Sequence, residues 1–291
     1  MLGPYELNNI YCGECSELMR SLPDDSIDMW LTSPPYDSLR TYRGYTFDFE
    51  SIATQLWRVT KPGGVGVWVV GDETKDNCES LSSFKQAIYF VEMGFNLHDT
   101  MIYEKNGMEF IRYGHTKYPG TFEYMFVFCK GKPETFNLIR DRNNIHSGST
   151  MTGSLRSPNG TMKFSHSNGR KVGKFGSRGN VWRYNVGYMQ DSKDKESHDH
   201  PAIFPEALAR DHIISWSNPN DIILDPMCGS GTTCKMAHLL GRHYLGFEIS
   251  DEYCQLAKHR VANVEMQPFL ILPTSTEVKS EQLEIFPSTE A

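Results

Sequence analysis

The chain has no apolar run approaching the roughly 20 residues that span a bilayer, so no membrane-spanning helix is expected. Its first residues, Met1-Leu2-Gly3-Pro4-Tyr5-Glu6, lack the basic and apolar stretches of a signal peptide, and none is expected there. Cysteines are few, scattered and odd in number, at seven, which suits a reducing cytosol and argues against a disulfide framework. Neither a Walker A loop nor a His-Glu-x-x-His motif occurs. Cys12-Gly13-Glu14-Cys15 has no second ligand pair at metal-site spacing, so these cysteines read as incidental and no metal is expected. No internal repeat is visible. What remains, at 291 residues and 39% hydrophobic, is a soluble chain able to bury a full core.

Net positive charge is absent too, the total being −7, which at first argues against a nucleic-acid partner. The distribution reverses that reading. From Arg140 to Met189 stand nine Lys and Arg against one acid, Asp141, a local +8 that leaves −15 on the rest. A polyanion-binding surface produces such asymmetry, and a solvated basic loop is the bland alternative. Phe164, Phe175, Trp182 and Tyr184 lie among these charges and favour a binding surface. Arg170, Lys171, Lys174 and Arg178 are its candidate phosphate contacts.

Apolar runs alternate with helix-like stretches, the pattern of an α/β sheet covered by helices. Strands are expected at Ile27–Leu31, Val65–Val70, Leu97–Tyr103, Tyr124–Cys129, Ile222–Leu224 and Tyr244–Phe247. One helix is expected at Phe49–Val59, ended by the breakers Lys61-Pro62-Gly63-Gly64, and another at Ser82–Met93. From Asn137 to about Gly187 the composition turns to Gly, Ser, Asn, Arg and Lys with little periodicity. Ser147-Gly148-Ser149-Thr150 and Ser165-His166-Ser167-Asn168-Gly169 read as loops of an insertion that is mobile until it meets a partner. A helix resumes at Pro205 with Glu206 in its first turn. From Gln267 onward three prolines, four glutamates and no sustained period predict a disordered tail.

Two motifs carry chemistry. Ser33-Pro34-Pro35-Tyr36 follows the apolar run Ile27–Leu31 directly. Two prolines end a hydrogen-bond ladder, because proline has no N–H and a fixed φ. The result is a rigid backbone with free carbonyl oxygens beside an aromatic ring, suited to gripping a planar amine such as a nucleobase. The second motif is Ile222-Ile223-Leu224-Asp225-Pro226-Met227-Cys228-Gly229-Ser230-Gly231-Thr232-Thr233, a strand ending in an acid, a glycine turn and a helix. Glycines there allow close approach to a ligand, and Glu248, ending the next strand, suits ribose hydroxyls. The third glycine of a dinucleotide fingerprint is missing, and Asp225 would repel a pyrophosphate but attract a cationic amino-acid group. These points favour S-adenosylmethionine over a dinucleotide.

Ser33-Pro34-Pro35-Tyr36 resembles the catalytic motif of the amino-group DNA methyltransferases, which methylate cytosine N4 or adenine N6. Asp225-Pro226-Met227-Cys228-Gly229-Ser230-Gly231-Thr232-Thr233 resembles their cofactor motif. Catalytic motif first, basic segment second and cofactor motif last is the order of the permuted β group. The resemblance covers about residues 6–265, and Phe122–Phe128 resembles a family strand near the target base. It implies a Rossmann-like methyltransferase sheet with helices on both faces and an inserted target-recognition region. The implied parts are a catalytic half (1–136), that insertion (137–197), a cofactor half (198–266) and the tail (267–291).

By the resemblance, the catalytic residues are Ser33, Pro34, Pro35 and Tyr36. S-adenosylmethionine is held by Asp225, Met227, Gly229, Ser230, Gly231, Thr232 and Glu248. Phe204, with Pro201, walls the cofactor, and Glu14 stands near a family Gly-Asp pair, one methylene longer than the family's Asp. Duplex DNA is the implied partner, through Arg170, Lys171, Lys174 and Arg178. A cytoplasmic, nucleoid-associated protein of bacterial or phage type is implied, monomer or homodimer, with a possible cognate restriction endonuclease. Asp37, Arg40, Tyr42 and Arg43 follow the catalytic motif as DNA contacts, cofactor cover or plain surface loop.

The exocyclic amine is a poor nucleophile because its lone pair is delocalised. Ser33 Oγ and the Pro34 carbonyl, accepting its two N–H bonds, would localise that pair, while Tyr36 stacks on the flipped base. Ser at position 33 accompanies cytosine N4 products more often in the family, where Asp accompanies adenine N6. A C5-cytosine enzyme would need a cysteine nucleophile after proline, and no Pro-Cys pair occurs. Methylation of RNA or a protein amide, and a catalytically silent DNA-binding protein, are the remaining alternatives.

Overall fold

Side chains of successive strand residues point to opposite faces, and here they sort into two cores. Val65, Val67 and Val69 join one core and Trp68 and Val70 the other; Met125 and Val127 likewise part from Phe126 and Phe128. The computed structural model describes residues 1–35, 47–106, 118–165, 167–185 and 205–264. Its first half comprises β1 (Asn9–Cys12), α1 (Cys15–Arg20), β2 (Ile27–Thr32), α2 (Phe49–Val59), β3 (Thr60–Val70), β4 (Thr74–Lys75), β5 (Cys78–Glu79), α3 (Ser82–Glu92), β6 (Asn96–Asn106) and β7 (Phe122–Cys129). There follow β8 (Arg142–Asn143), β9 (Ser154–Arg156), β10 (Met162–Phe164), β11 (Phe175–Gly176), β12 (Val181–Asn185), α4 (Glu206–Trp216), β13 (Ile222–Asp225), α5 (Thr232–Leu239), β14 (His243–Glu248) and α6 (Asp251–Ala262).

Eight strands form one sheet in the order β1-β14-β13-β2-β3-β7-β6-β12. Only β7 runs antiparallel to its neighbours. Helices α4, α5 and α6 pack on one face, and α1, α2 and α3 on the other. The order reverses between β13 and β2: the chain leaves β13 toward β14 on one side and β2 toward β3 on the other. Ligands of open α/β sheets bind at such a switch point, outside the carboxyl ends of the strands.

The six expected strands and the two helices before residue 100 are present, with ends moved by up to three residues except at the start of β3, which lies five residues earlier. Three expectations need correction. Lys61-Pro62-Gly63-Gly64 is not a turn between α2 and a later strand, because β3 already begins at Thr60. A Cβ on Gly64 would lie 2.9 Å from the Asp28 carbonyl, so glycine is what lets β3 start hard against β2, where the register shifts. Second, β12 lies within the segment read as aperiodic. It pairs with β6, and its Trp182 and Tyr184 are core residues rather than part of an exposed binding surface.

Third, the basic segment is a two-stranded ribbon rather than irregular throughout, and the stretches read as loops include its turns, over 145–148 and 167–169, where the pairing is interrupted. Starting from Arg178 N to Ile139 O, rungs join Asn144 to Lys174, Ser149 to Val172, Met151 to Arg170 and Gly153 to Ser165. The β8–β11 and β9–β10 pairs complete it, and it closes in a turn between Ser157 and Thr161. No described residue from 139 to 180 is buried. Backbone pairing, with a few polar side-chain bonds such as Asn144 Nδ2 to the Gly173 carbonyl at 2.9 Å, carries this ribbon, so no hydrophobic period marks it in the sequence.

Candidate active site

The carboxyl ends of β1, β14, β13 and β2 share one edge of the sheet, and each delivers one of the expected residues. Pairing of Leu224 with Trp30 aligns the end of β13 with the end of β2. Asp225 therefore finishes its strand beside Leu31 and Thr32, immediately before Ser33. Thr233 Oγ1 in the first turn of α5 donates to the Leu31 carbonyl at 3.2 Å. Two motifs about 190 residues apart thus meet at the switch point. Pro34 is buried, whereas Ser33 and Pro35 are half-buried.

The loop between β13 and α5 is shaped by its glycines. Gly229 and Gly231 have φ of 49° and 82°, where a side chain is strained. A Cβ on Gly231 would also sit 2.9 Å from that of Ala257 in α6. Gly231 N donates to the Cys228 carbonyl at 2.6 Å, and Cys228 N reaches the Phe247 carbonyl at 2.8 Å. Ser230 and Thr232 are buried in this turn, and Met227 packs beside it on the α1–α3 side.

Two buried acids border the loop. Burial pushes the Asp225 carboxyl up to about 7, partly offset by the Thr32 and Thr233 hydroxyls and the Met227 N–H. No cation among the described residues offsets the burial of Asp225. Burial also raises the Glu248 carboxyl, against donation from Ser250 N at 2.9 Å and Gly229 N at 2.8 Å. With the Ile249 N–H as a third donor, the carboxylate still keeps acceptor capacity for a hydroxyl.

Glu14 behaves differently. It caps α1, its carboxylate accepting from Ser16 N at 3.0 Å, Ser16 Oγ at 2.6 Å and Glu17 N at 2.8 Å. Burial alone would raise this acid, but those hydrogen bonds outweigh it and hold it below its usual range. Gly13 N donates to the Glu248 carbonyl at 2.9 Å, so Glu14 stands at the correct edge with its side chain committed to the helix.

Arg178 is likewise engaged elsewhere. Its guanidinium pairs with Asp141 and, at 2.5 Å, with buried Asp211, and lies over the Trp182 ring. Tyr184 donates to the same Asp211 at 2.9 Å. Arg178 therefore anchors the base of the ribbon to α4, which corrects its expected role as a DNA contact. Arg170, Lys171 and Lys174 are exposed along the ribbon. Tyr36, Asp37, Arg40, Tyr42, Arg43, Pro201 and Phe204 lie outside the described residues.

Sequence reasoning missed the supports of the loop. Glu206 at the head of α4 receives Lys235 Nζ of α5 at 2.7 Å and Arg260 of α6 at 3.3 Å. Arg260 also donates to the Ser230 carbonyl. Buried basic residues inside two otherwise apolar helix faces were the available signal.

Comparison with known proteins agrees with this geometry. The DNA methylase family of N6 and N4 methyltransferases matches residues 27–259. The orphan methyltransferase M.BamHII of Bacillus amyloliquefaciens is 49% identical over 268 residues, 91% of this chain and 98% of that protein. The structure of the cytosine-N4-specific PvuII DNA methyltransferase superposes with a TM-score of 0.63 at 19% identity, covering 88% of each chain. That of the M1.HpyAVI–SAM complex gives 0.57 at 24% identity, covering 87% of this chain and 98% of the other. Matched over most of its length, the chain belongs to the N6/N4 DNA methylase family, the S-adenosylmethionine-dependent amino-methyltransferases of DNA.

Proposed function

We propose that this methylase transfers a methyl group to the N4 amine of a flipped cytosine in duplex DNA, at a sequence-defined site. The observation that carries the proposal is the meeting of Ser33-Pro34 with the Asp225–Thr233 loop across the Thr233–Leu31 hydrogen bond. The residues present fit the family's cofactor. A buried acid without a cation suits its amino group, a loop that a Cβ would fill suits its close approach, and Glu248 suits its ribose. S-adenosylmethionine supplies, when bound, an electrophilic methyl on a sulfonium. Asp225, Met227, Gly229, Ser230, Gly231, Thr232 and Glu248 hold it in this reading, with Phe204 as a wall; Glu14 is left to its capping role.

Ser33 Oγ and the Pro34 carbonyl accept the two N–H bonds of the target amine and stabilise the charge that develops on it. The rigid Pro34-Pro35 backbone fixes those acceptors in advance, and Tyr36 stacks on the base. Ser33, together with the fold shared with a cytosine-N4-specific enzyme, supports cytosine. The order of motifs supports the permuted β group.

The ribbon supports a duplex partner. A two-stranded ribbon fits the major groove, and Arg170, Lys171 and Lys174 on its exposed shaft suit phosphates. Similarity to a protein named as an orphan favours action without a cognate endonuclease. Incubation with labelled S-adenosylmethionine and mixed-sequence duplex DNA, followed by nucleoside mass spectrometry, tests the proposal. N4-methylcytosine is expected; N6-methyladenine would move the target to adenine, and no label in any DNA would overturn the activity.

A further inference from the structure

The basic ribbon ends in an apolar tip. Leu155, Met162 and Phe164, in β9 and β10, are 56%, 62% and 77% exposed. Directly opposed residues of an antiparallel pair share a face, and alternate residues along a strand return to it. The register sets Met162 opposite Arg156 and Phe164 opposite Ser154. These four therefore lie on one face, with Leu155 and Lys163 on the other. Ser154 is too small to cover the Phe164 ring, which stands in solvent.

Single exposed apolar side chains are ordinary, but two features set this group apart. The tip is fixed in shape. Pro158 and Asn159 fill a turn in which Gly160 N donates to the Ser157 carbonyl and Ser157 N to the Thr161 carbonyl, both at 2.8 Å. Thr161 Oγ1 donates to Asn159 Oδ1 at 2.8 Å, and Gly160 supplies the φ of 84° that closes the turn. Side chains on such a hairpin lose little further freedom when a partner covers them. The group is also set among cations alone: Arg156 and Lys163 flank it, and no acid occurs from Arg142 to Asn185. An apolar pair flanked by cations matches a stack of bases between two rows of phosphates. We propose that the tip is a wedge: Met162 and Phe164 insert partway into a base step of duplex DNA and bend it, while Arg156 and Lys163 hold the adjoining phosphates. Such a role presupposes that the ribbon is the DNA surface. Every base has a π face, so insertion tolerates many sequences, and it is easiest at flexible pyrimidine–purine steps.

Energy transfer between dyes at the two ends of mixed-sequence duplexes of about 25 base pairs reads the bend, and anisotropy of the same duplexes reads affinity. The full chain at saturation is expected to raise the transfer, for a bend of roughly 20 to 90°. Met162→Ala combined with Phe164→Ala should abolish the rise and weaken binding about tenfold, with the salt slope unchanged because no charge is lost. Phe164→Leu, still apolar, should keep most of the bend. Circular dichroism confirms that each variant is folded. A parent that binds without bending, or a double alanine variant that bends DNA as the parent does, overturns the wedge. Neutralising Arg170, Lys171 and Lys174 separates the wedge from the surface that carries it. A reduced salt slope without any bend overturns the wedge alone, whereas an unchanged slope removes the ribbon from DNA and the wedge with it.

Discussion

Burial holds the Asp225 carboxyl near pH 7, against 3.8 for a free one. Between roughly pH 4 and 7 the unfolded chain has lost this proton while the folded chain keeps it. Raising the pH through that window therefore removes stability, and above it the loss is complete. Asp225→Asn has no such proton to lose. The variant without cofactor should be more stable than the parent at pH 8, by on the order of 2 kcal/mol, with the advantage vanishing near pH 4. Urea denaturation at both values measures this. Asp225, the glycine turn and Ser33 were legible because each sits in a contiguous motif. Glu206, Lys235 and Arg260 were not, since their mutual contacts span 29 to 54 residues of sequence. Glu14 looked like a ligand-facing acid because nothing local announces that a six-residue helix needs its carboxylate.

At the scale of elements, the central strands show how tightly sequence and packing are matched. Trp30 of β2 is fully buried and donates through its indole to Thr60 Oγ1 at 3.1 Å. Its ring fills the space that a side chain on Gly66 of β3 would take, a Cβ there lying 1.9 Å from the indole. Gly66→Ala should cost about 3 kcal/mol or more, because neither the ring nor a central strand can move aside. Thermal unfolding of the variant measures the loss. β2, β3 and β7 were readable because long apolar runs with turn residues at their ends mark strands buried on both faces. β12 was hidden by its position: only Trp182 and Tyr184 turn inward, and basic, polar sequence precedes them. The ribbon was hidden for another reason. Its ladder joins residues up to 39 positions apart through backbone atoms, which leave no mark on composition.

Across the whole molecule, charge is segregated: a basic ribbon stands on an acidic body. Affinity for duplex DNA should fall steeply with salt, by about 0.9 in logarithmic slope for each phosphate neutralised. Neutralising Arg170, Lys171 and Lys174 together should therefore reduce that slope by roughly 2 to 3 while leaving the fold intact. Titrations by fluorescence anisotropy at several salt concentrations measure it, and an unchanged slope would place the DNA surface elsewhere. No helix among the described residues is long and apolar enough to cross a membrane.

The ribbon leaves and rejoins the body at a single hydrogen-bonded pair, Ile139 and Arg178, whose backbone N–O distance is 3.0 Å. Everything between these residues hangs from one hinge-width of chain, and none of it contributes to either core. Such a segment behaves as a cassette. It can be lengthened, exchanged or rewritten by mutation without disturbing the strands that hold Ser33 and Asp225. On the proposed reading of the ribbon as the DNA surface, change in what the protein reads and persistence in what it catalyses are decoupled, so descendants of one scaffold can diverge in address while keeping their chemistry.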